Sequence, residues 1–267
     1  MIDTSTAPSA SLKPSGERRE RPSAAVVIPS QCDPLPAGIP GVTLREFVSA
    51  RCGARDISTG SASFQPGAAM PWHKHSFSET LTVLAGEASC SVEGRTYRMR
   101  RLDCMHIPAG RAHQTQNTSL EEPLIALWVF GSGTPTREPV SKIFATVERG
   151  DSQEGDPEHL VRFNETSKYE LSTGTRFFDL FARRFGAVGI EGGYGELDPG
   201  SSLSYRVHDD DESITILTGE TVCELAGEKI QLKSSESLLV PRGIQHRFFN
   251  GSEVLMSMIW ARACTES

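Results

Sequence analysis

Four side chains in the first half of the sequence, His73, His75, Glu79 and His113, combine residue types and spacing that suit a metal ion. His73 and His75 are two apart, so on a β-strand both leave the same face of the sheet. Glu79 stays on that side if the strand remains regular, although Ser76-Phe77-Ser78 can bend the chain. His113 has to arrive from a separate strand, and Pro108-Ala109-Gly110 is a tight turn that would deliver it. Three imidazoles and one carboxylate suit Fe, Mn, Zn, Ni, Cu or Co rather than the oxygen-preferring Ca and Mg. An octahedral ion held by four protein ligands keeps two positions for water, O₂ or a chelating substrate. Glu79 has two possible roles: as a ligand it neutralises the ion, and if it detaches it can act as a general base.

The spacing recurs. Gly67, His75, Glu79, Gly86, Pro108, Gly110, His113 and Asn117 are each followed 133 residues later by the same residue type, at Gly200, His208, Glu212, Gly219, Pro241, Gly243, His246 and Asn250. Five of the seven histidines occupy motif positions across the two units, which argues against histidines aligned by chance. After the Asn the register slips by one, so that Trp128 answers Trp260. An internal repeat of this kind sets the domain organisation: residues 1–40 form an arm and lead-in, 41–133 a first unit, 134–173 a linker and lead-in strand, and 174–267 a second unit. The arm, rich in Ser, Pro and Arg, is expected to be disordered. The Gly- and Asp-rich stretch 150–157 is the most loop-like part of the linker.

Within each unit the pattern is all strand. Short β-branched segments at residues 80–84, 88–92 and 214–217 are separated by Gly-containing turns, and no amphipathic helical stretch competes. The expected fold is all-β, two tandem antiparallel jelly-roll barrels.

These residues resemble the cupin superfamily, and the resemblance spans both units. Its first motif stands intact as Gly67, His73, His75, Glu79 and Gly86, and its second as Pro108, Gly110, His113 and Asn117, with Leu102 where a leading Gly is usual. The resemblance implies a two-domain (bicupin) protein with a metal at His73, His75, Glu79 and His113. It implies Fe(II) or Mn(II) in the first place, with Zn, Ni, Cu or Co as alternatives. Members of the superfamily include dioxygenases, oxalate-degrading enzymes, isomerases, lyases and non-enzymatic binding proteins, and fold does not choose among them. The expectation is a metal-dependent enzyme of the dioxygenase kind, with Glu79 as its candidate catalytic residue. A metal-dependent isomerase, lyase or hydrolase and a small-ligand sensor are the alternatives.

The second unit departs at one ligand, since Arg206 stands where the first has His73, while His208, Glu212 and His246 remain. A guanidinium keeps its proton and cannot ligate. Arg206 is expected to pair with Glu212, or to grip a carboxylate or phosphate of a small ligand; a weakened metal site is the third option. The run Asp209-Asp210-Asp211 reads as a solvated loop and Arg98, Arg100 and Arg101 as a solvated sheet edge. His106 reads as a packed histidine, and Cys90 and Cys223 as core residues.

A net charge of −7 disfavours nucleic acid, the one basic run (Arg18, Arg19, Arg21) lies in the arm, and no apolar run approaches membrane-spanning length. Six scattered cysteines without a Cys-x-x-Cys pair read as free thiols in a reducing compartment. The partner is therefore expected to be a small-molecule substrate for a cytoplasmic monomer or homodimer.

Overall fold

The structure is a computed structural model that describes residues 25–27, 31–36 and 38–264. Most of the arm, including its basic run, lies outside the described residues. Two antiparallel β-sandwich barrels follow one another along the chain. In the first, one sheet runs in the order His159–Val161, Cys104–Ile107, Glu79–Ala85, Leu124–Phe130, Ser58–Phe64 and Val42–Val48. The facing sheet is built on His73–Lys74, His113–Asn117, Ala88–Val92 and Arg95–Met99. The second barrel repeats this plan, with Glu212–Thr218 and Met256–Cys264 central to its larger sheet and Glu220–Leu225 central to a three-stranded one.

The segments before each barrel are not passive connectors. Ala25–Val27, ahead of the first barrel, pairs antiparallel with Ser237–Val240 of the second. His159–Val161, ahead of the second, pairs antiparallel with Cys104–Ile107 of the first. The two barrels thus exchange equivalent edge strands, a reciprocity that follows from the repeat but leaves no local mark in the sequence. Other linker residues also join the first barrel. Val147–Arg149 pairs in parallel with residues 95–97, so the strand is not a free edge, while Arg98, Arg100 and Arg101 are exposed to solvent as expected. Glu158, buried in the linker, takes a two-pronged bond from Arg95 at 2.6 and 2.8 Å and accepts the Tyr97 hydroxyl at 2.7 Å.

Alternation along the central strands builds three cores at once. Leu124, Ala126 and Trp128 fill the first barrel, while Leu127 and Val129 from the same strand enter a core shared with Ile259, Ala261 and Ala263 of the second. Met256 and Met258 fill the second barrel. Polar contacts cross the joint as well: Thr59 to Ser213 at 3.0 Å, and the Arg242 guanidinium to Asp56 at 2.6 Å. Asp211 accepts from the backbone N–H groups of Arg55 and Arg242 at 2.8 and 2.9 Å. The end of the acidic run is therefore a buried joint and not a solvated loop.

His106 faces this joint, because Met105 and Ile107 on its strand take the barrel interior. It is 1% exposed, and neither ring nitrogen finds a hydrogen-bond partner among the described residues. Burial, with His159 beside it, lowers its pKa to about 4. The folded protein therefore holds it neutral while the unfolded chain binds a proton near pH 6.5. The stability it contributes is complete above pH 6.5 and is lost as pH falls toward 4, roughly 3 kcal/mol over that interval. His106→Leu is expected to remove that part of the acid sensitivity, read by urea unfolding at pH 7 and pH 4.5. Equal losses in both proteins would overturn the assignment.

Leu102, the departure from the usual glycine, sits at φ 66°, and its counterpart Ser235 at φ 69°. Both adopt a left-handed conformation that costs a side chain about 1–2 kcal/mol. Their surroundings set opposite outcomes for glycine. Leu102 is 2% exposed and belongs to the shared core, so Leu102→Gly is expected to destabilise by about 2–4 kcal/mol despite the relieved backbone. Ser235 is exposed, and Ser235→Gly is expected to stabilise by about 0.5–1 kcal/mol. Denaturant midpoints of the two variants test the contrast.

Candidate metal centre

The four sequence-predicted residues of the first barrel come together. His73 and His75 flank the half-exposed Lys74 and point inward, both 6% exposed. His113 pairs with His73 across the neighbouring strand, and the turn before it is closed by Gly110, at φ 78°, whose N–H donates to the His75 carbonyl at 2.7 Å. Glu79 does not continue the His75 strand. Ser76-Phe77-Ser78 carries the chain across to the opposite sheet, and Glu79 opens the strand there, so the site is clasped between both sheets.

The donor atoms of His73, His75, Glu79 and His113 all lie within 4.8 Å of one another. Each histidine anchors Nδ1 on a backbone carbonyl: Pro71 for His73 at 2.7 Å, Thr136 for His75 at 2.5 Å and Arg111 for His113 at 3.0 Å. These bonds fix the tautomer and leave the Nε2 lone pairs facing the centre. Glu79 Oε2 is 3.1 Å from His75 Nε2 and 2.8 Å from His113 Nε2. Yet neither Glu79 Oε2 nor His113 Nε2 completes an aligned hydrogen bond. Lone pairs that converge on a shared point rather than on each other are what a bound cation requires, so the donor set fits a metal ion.

Protonation states agree with this. Burial, then the neighbouring His113, lowers the His73 pKa to about 3, so the ring is neutral. Burial opposes ionisation of Glu79, but the His113 and His75 rings outweigh it and hold the carboxyl well below its ordinary value. Burial also opposes charge on His75, while the adjacent Glu79 carboxylate prevails and raises its pKa.

The centre lies on the wall of a cavity of about 290 Å³. Phe64, Leu81, Trp128 and Phe130 line it, and Phe130 also packs on the His75 ring with centroids 4.8 Å apart. Arg137, exposed at the rim, is its single arginine. Trp72, flanking the ligands in sequence, packs on Phe144 instead of lining the cavity. His106 also stays outside the lining. Sequence reasoning missed Leu35, Pro36, Phe130 and Arg137; the repeat could have located Phe130, whereas Leu35 and Pro36 come from the lead-in without any motif.

A sequence profile of the cupin domain matches residues 60–130 and 193–262, more than half of the chain. The chain belongs to the cupin family. No curated protein matches it in sequence. Among solved structures, it is similar to oxalate decarboxylase from Bacillus subtilis, at 17% identity and a TM-score of 0.71, over 89% of this chain and 75% of that one. Oxalate decarboxylase from Lactobacillus farciminis, in a formate complex, is similar at 16% identity and a TM-score of 0.73, over 89% and 85% of the two chains. At such identity the likeness is one of fold, and it covers both cupin barrels.

The second cupin barrel holds the altered residues in equivalent places. Arg206 pairs with His246 through both backbone groups, at 2.9 and 3.0 Å, as His73 pairs with His113. Glu212 Oε2 lies 3.0 Å from His246 Nε2 but 3.9 Å from His208 Nε2, a looser arrangement than in the first barrel. The expected Arg206–Glu212 ion pair does not form at contact distance, although the Arg206 charge helps to hold Glu212 as the carboxylate; Glu212 Oε2 and His246 Nε2 face each other without an aligned hydrogen bond, and the Arg206 side chain makes no hydrogen bond or ion pair among the described residues. Cys90 and Cys223 are fully buried in their barrels, and burial pushes both thiols up to about 12, which leaves them unreactive.

Proposed function

We propose that this cupin is a metal-dependent enzyme that adds both atoms of O₂ to a small oxygen-bearing organic substrate, with its chemistry in the first barrel. The observation that carries this reading is a pre-arranged three-histidine, one-glutamate set opening onto a small cavity walled largely by apolar and aromatic side chains. Bound there, Fe(II) or Mn(II) would supply a redox-active Lewis acid with two positions free for exogenous ligands; Zn, Ni, Cu or Co suits the same donors.

The chain's own residues do the rest. Phe64, Leu81, Trp128 and Phe130 exclude water and hold the apolar body of the substrate. Arg137 at the rim is placed to meet a carboxylate or enolate oxygen. Glu79 stays anionic while His75 and His113 hold it, and it becomes useful as a base only on release from them.

The names of the structural neighbours favour a second reading, metal-dependent decarboxylation. Against oxalate itself stands the lining, since a substrate without any apolar part gains little from these walls. The readings separate in an oxygen electrode fitted for CO₂ detection, with the Fe(II)- or Mn(II)-loaded protein and a panel of catechol-like, dicarbonyl and dicarboxylate compounds. Uptake of one O₂ per substrate consumed is the expected result. CO₂ release without net O₂ uptake would replace the first reading with the second, and ligand binding without turnover would replace both with a binding protein.

A further inference from the structure

The second barrel has a cavity of its own, about 230 Å³, and its wall contains Arg206, Arg262, Glu212 and Trp260. Comparison of equivalent positions shows a coordinated change. The first barrel has His73, Phe130 and Ser58 where the second has Arg206, Arg262 and Glu191. Arg262 donates one Nη to His208 and the other to Glu191, so it is held in place by two partners. In accepting from Arg262, His208 commits to a guanidinium a ring that in the first barrel serves the metal cluster. Two guanidinium groups therefore stand where the first barrel has an imidazole and a phenyl ring.

Two side chains in this cavity hold N–H groups that no protein acceptor takes among the described residues, although the Arg206 charge also helps to hold Glu212 as the carboxylate. Arg206 carries five N–H groups and no hydrogen-bonded or ion-paired partner among the described residues. Trp260 Nε1 is buried without a hydrogen-bond partner. A buried donor left unsatisfied destabilises the fold, and a ligand oxygen would satisfy it. The remaining wall includes Phe177, Ile214 and Met258, suited to a short apolar body. Glu212, held as the carboxylate in the same wall, penalises a second negative charge on the ligand.

We propose that the second barrel binds a small monocarboxylate, gripped by Arg206 with the Trp260 indole N–H as a further donor, in the place where the first barrel gathers its metal ligands. The planar fork of Arg206 matches a carboxylate, and its fixed charge takes over the role that a cation has beside Glu79. Arg262, already bonded on both Nη atoms, positions the wall and adds to the field. This site stands independently of the chemistry assigned to the first barrel.

Isothermal titration of the full-length, metal-loaded protein with butyrate, malonate and inorganic phosphate tests it. Butyrate is expected to bind saturably at one per chain and to perturb tryptophan emission, with malonate and phosphate at least tenfold weaker. Arg206→Met is expected to lose butyrate binding at least tenfold at unchanged circular dichroism, and Trp260→Phe to weaken it by a smaller factor. His73→Ala, in the other barrel, is expected to leave it intact. The proposal is overturned if no butyrate binds, if Arg206→Met binds as well as the natural protein, if His73→Ala abolishes binding, or if phosphate binds as tightly as butyrate.

Discussion

His113→Ala is expected to purify with almost no metal, while the equivalent change in the second barrel, His246→Ala, leaves the metal content near one ion per chain. His113 is 1% exposed, its Nδ1 is tied to the Arg111 carbonyl, and its Nε2 has no other use than the centre. Disturbing groups that merely orient a ligand costs about 10–100-fold in metal affinity, so deleting the ligand itself is expected to cost at least about 100-fold. A second loss follows from Glu79, which is buried and anionic and loses the nearest of its imidazoles, at 2.8 Å. Taking a partner from a buried polar group costs about 1–3 kcal/mol, and more when the group left behind is charged. The metal-free variant should therefore unfold earlier than the metal-free natural protein, and added metal should rescue only the latter. Elemental analysis with thermal melts reads both effects. If His246→Ala loses the metal and His113→Ala keeps it, the active barrel has been assigned to the wrong half of the chain.

Much of this was legible in the residues because a repeat with fixed offset is a global signal. The four-residue cluster, the two-unit organisation and the anomaly at Arg206 can be read from spacing, and strand patterning adds the barrels. What escaped is what spacing does not encode. Glu79 reaches the site from the opposite sheet because three residues form a corner rather than a continued strand. The Thr136 carbonyl that orients His75 is a backbone group 61 residues away and has no side-chain signature. The exchange of Ala25–Val27 and His159–Val161 between barrels depends on pairing partners more than 50 residues distant. Asp211 looked like part of a solvated acidic run because its partners, Arg55 and Arg242, come from both barrels. Arg206 shows the same limit in reverse: proximity in the repeat suggested a salt bridge to Glu212, but the guanidinium stands beyond contact distance and acts on that carboxylate through its field alone.

The largest constructive test is to rebuild the missing centre. The second barrel retains the backbone pairing that aims residue 206 at the cluster, and His208, Glu212 and His246 still place donor atoms within 4.8 Å of one another. Two charges stand in the way. A guanidinium about 5 Å from a divalent ion repels it by about 7 kcal/mol even at an effective dielectric constant of about 20. Arg262 further occupies His208, so Arg206→His alone would restore a ligand and leave a neighbouring one engaged. Removing Arg262 would in turn strand Glu191, its partner, as a half-buried carboxylate. The coherent change therefore copies the first barrel at all three positions: Glu191→Ser, Arg206→His and Arg262→Phe. This triple variant is expected to raise bound metal from about one to about two ions per chain and to lose butyrate affinity at the same time, since the new ion and the old anion site need the same space. Elemental analysis and calorimetry on one preparation give both readings. A well-folded triple variant that still holds a single ion would mean that something other than these charges keeps metal from the second barrel.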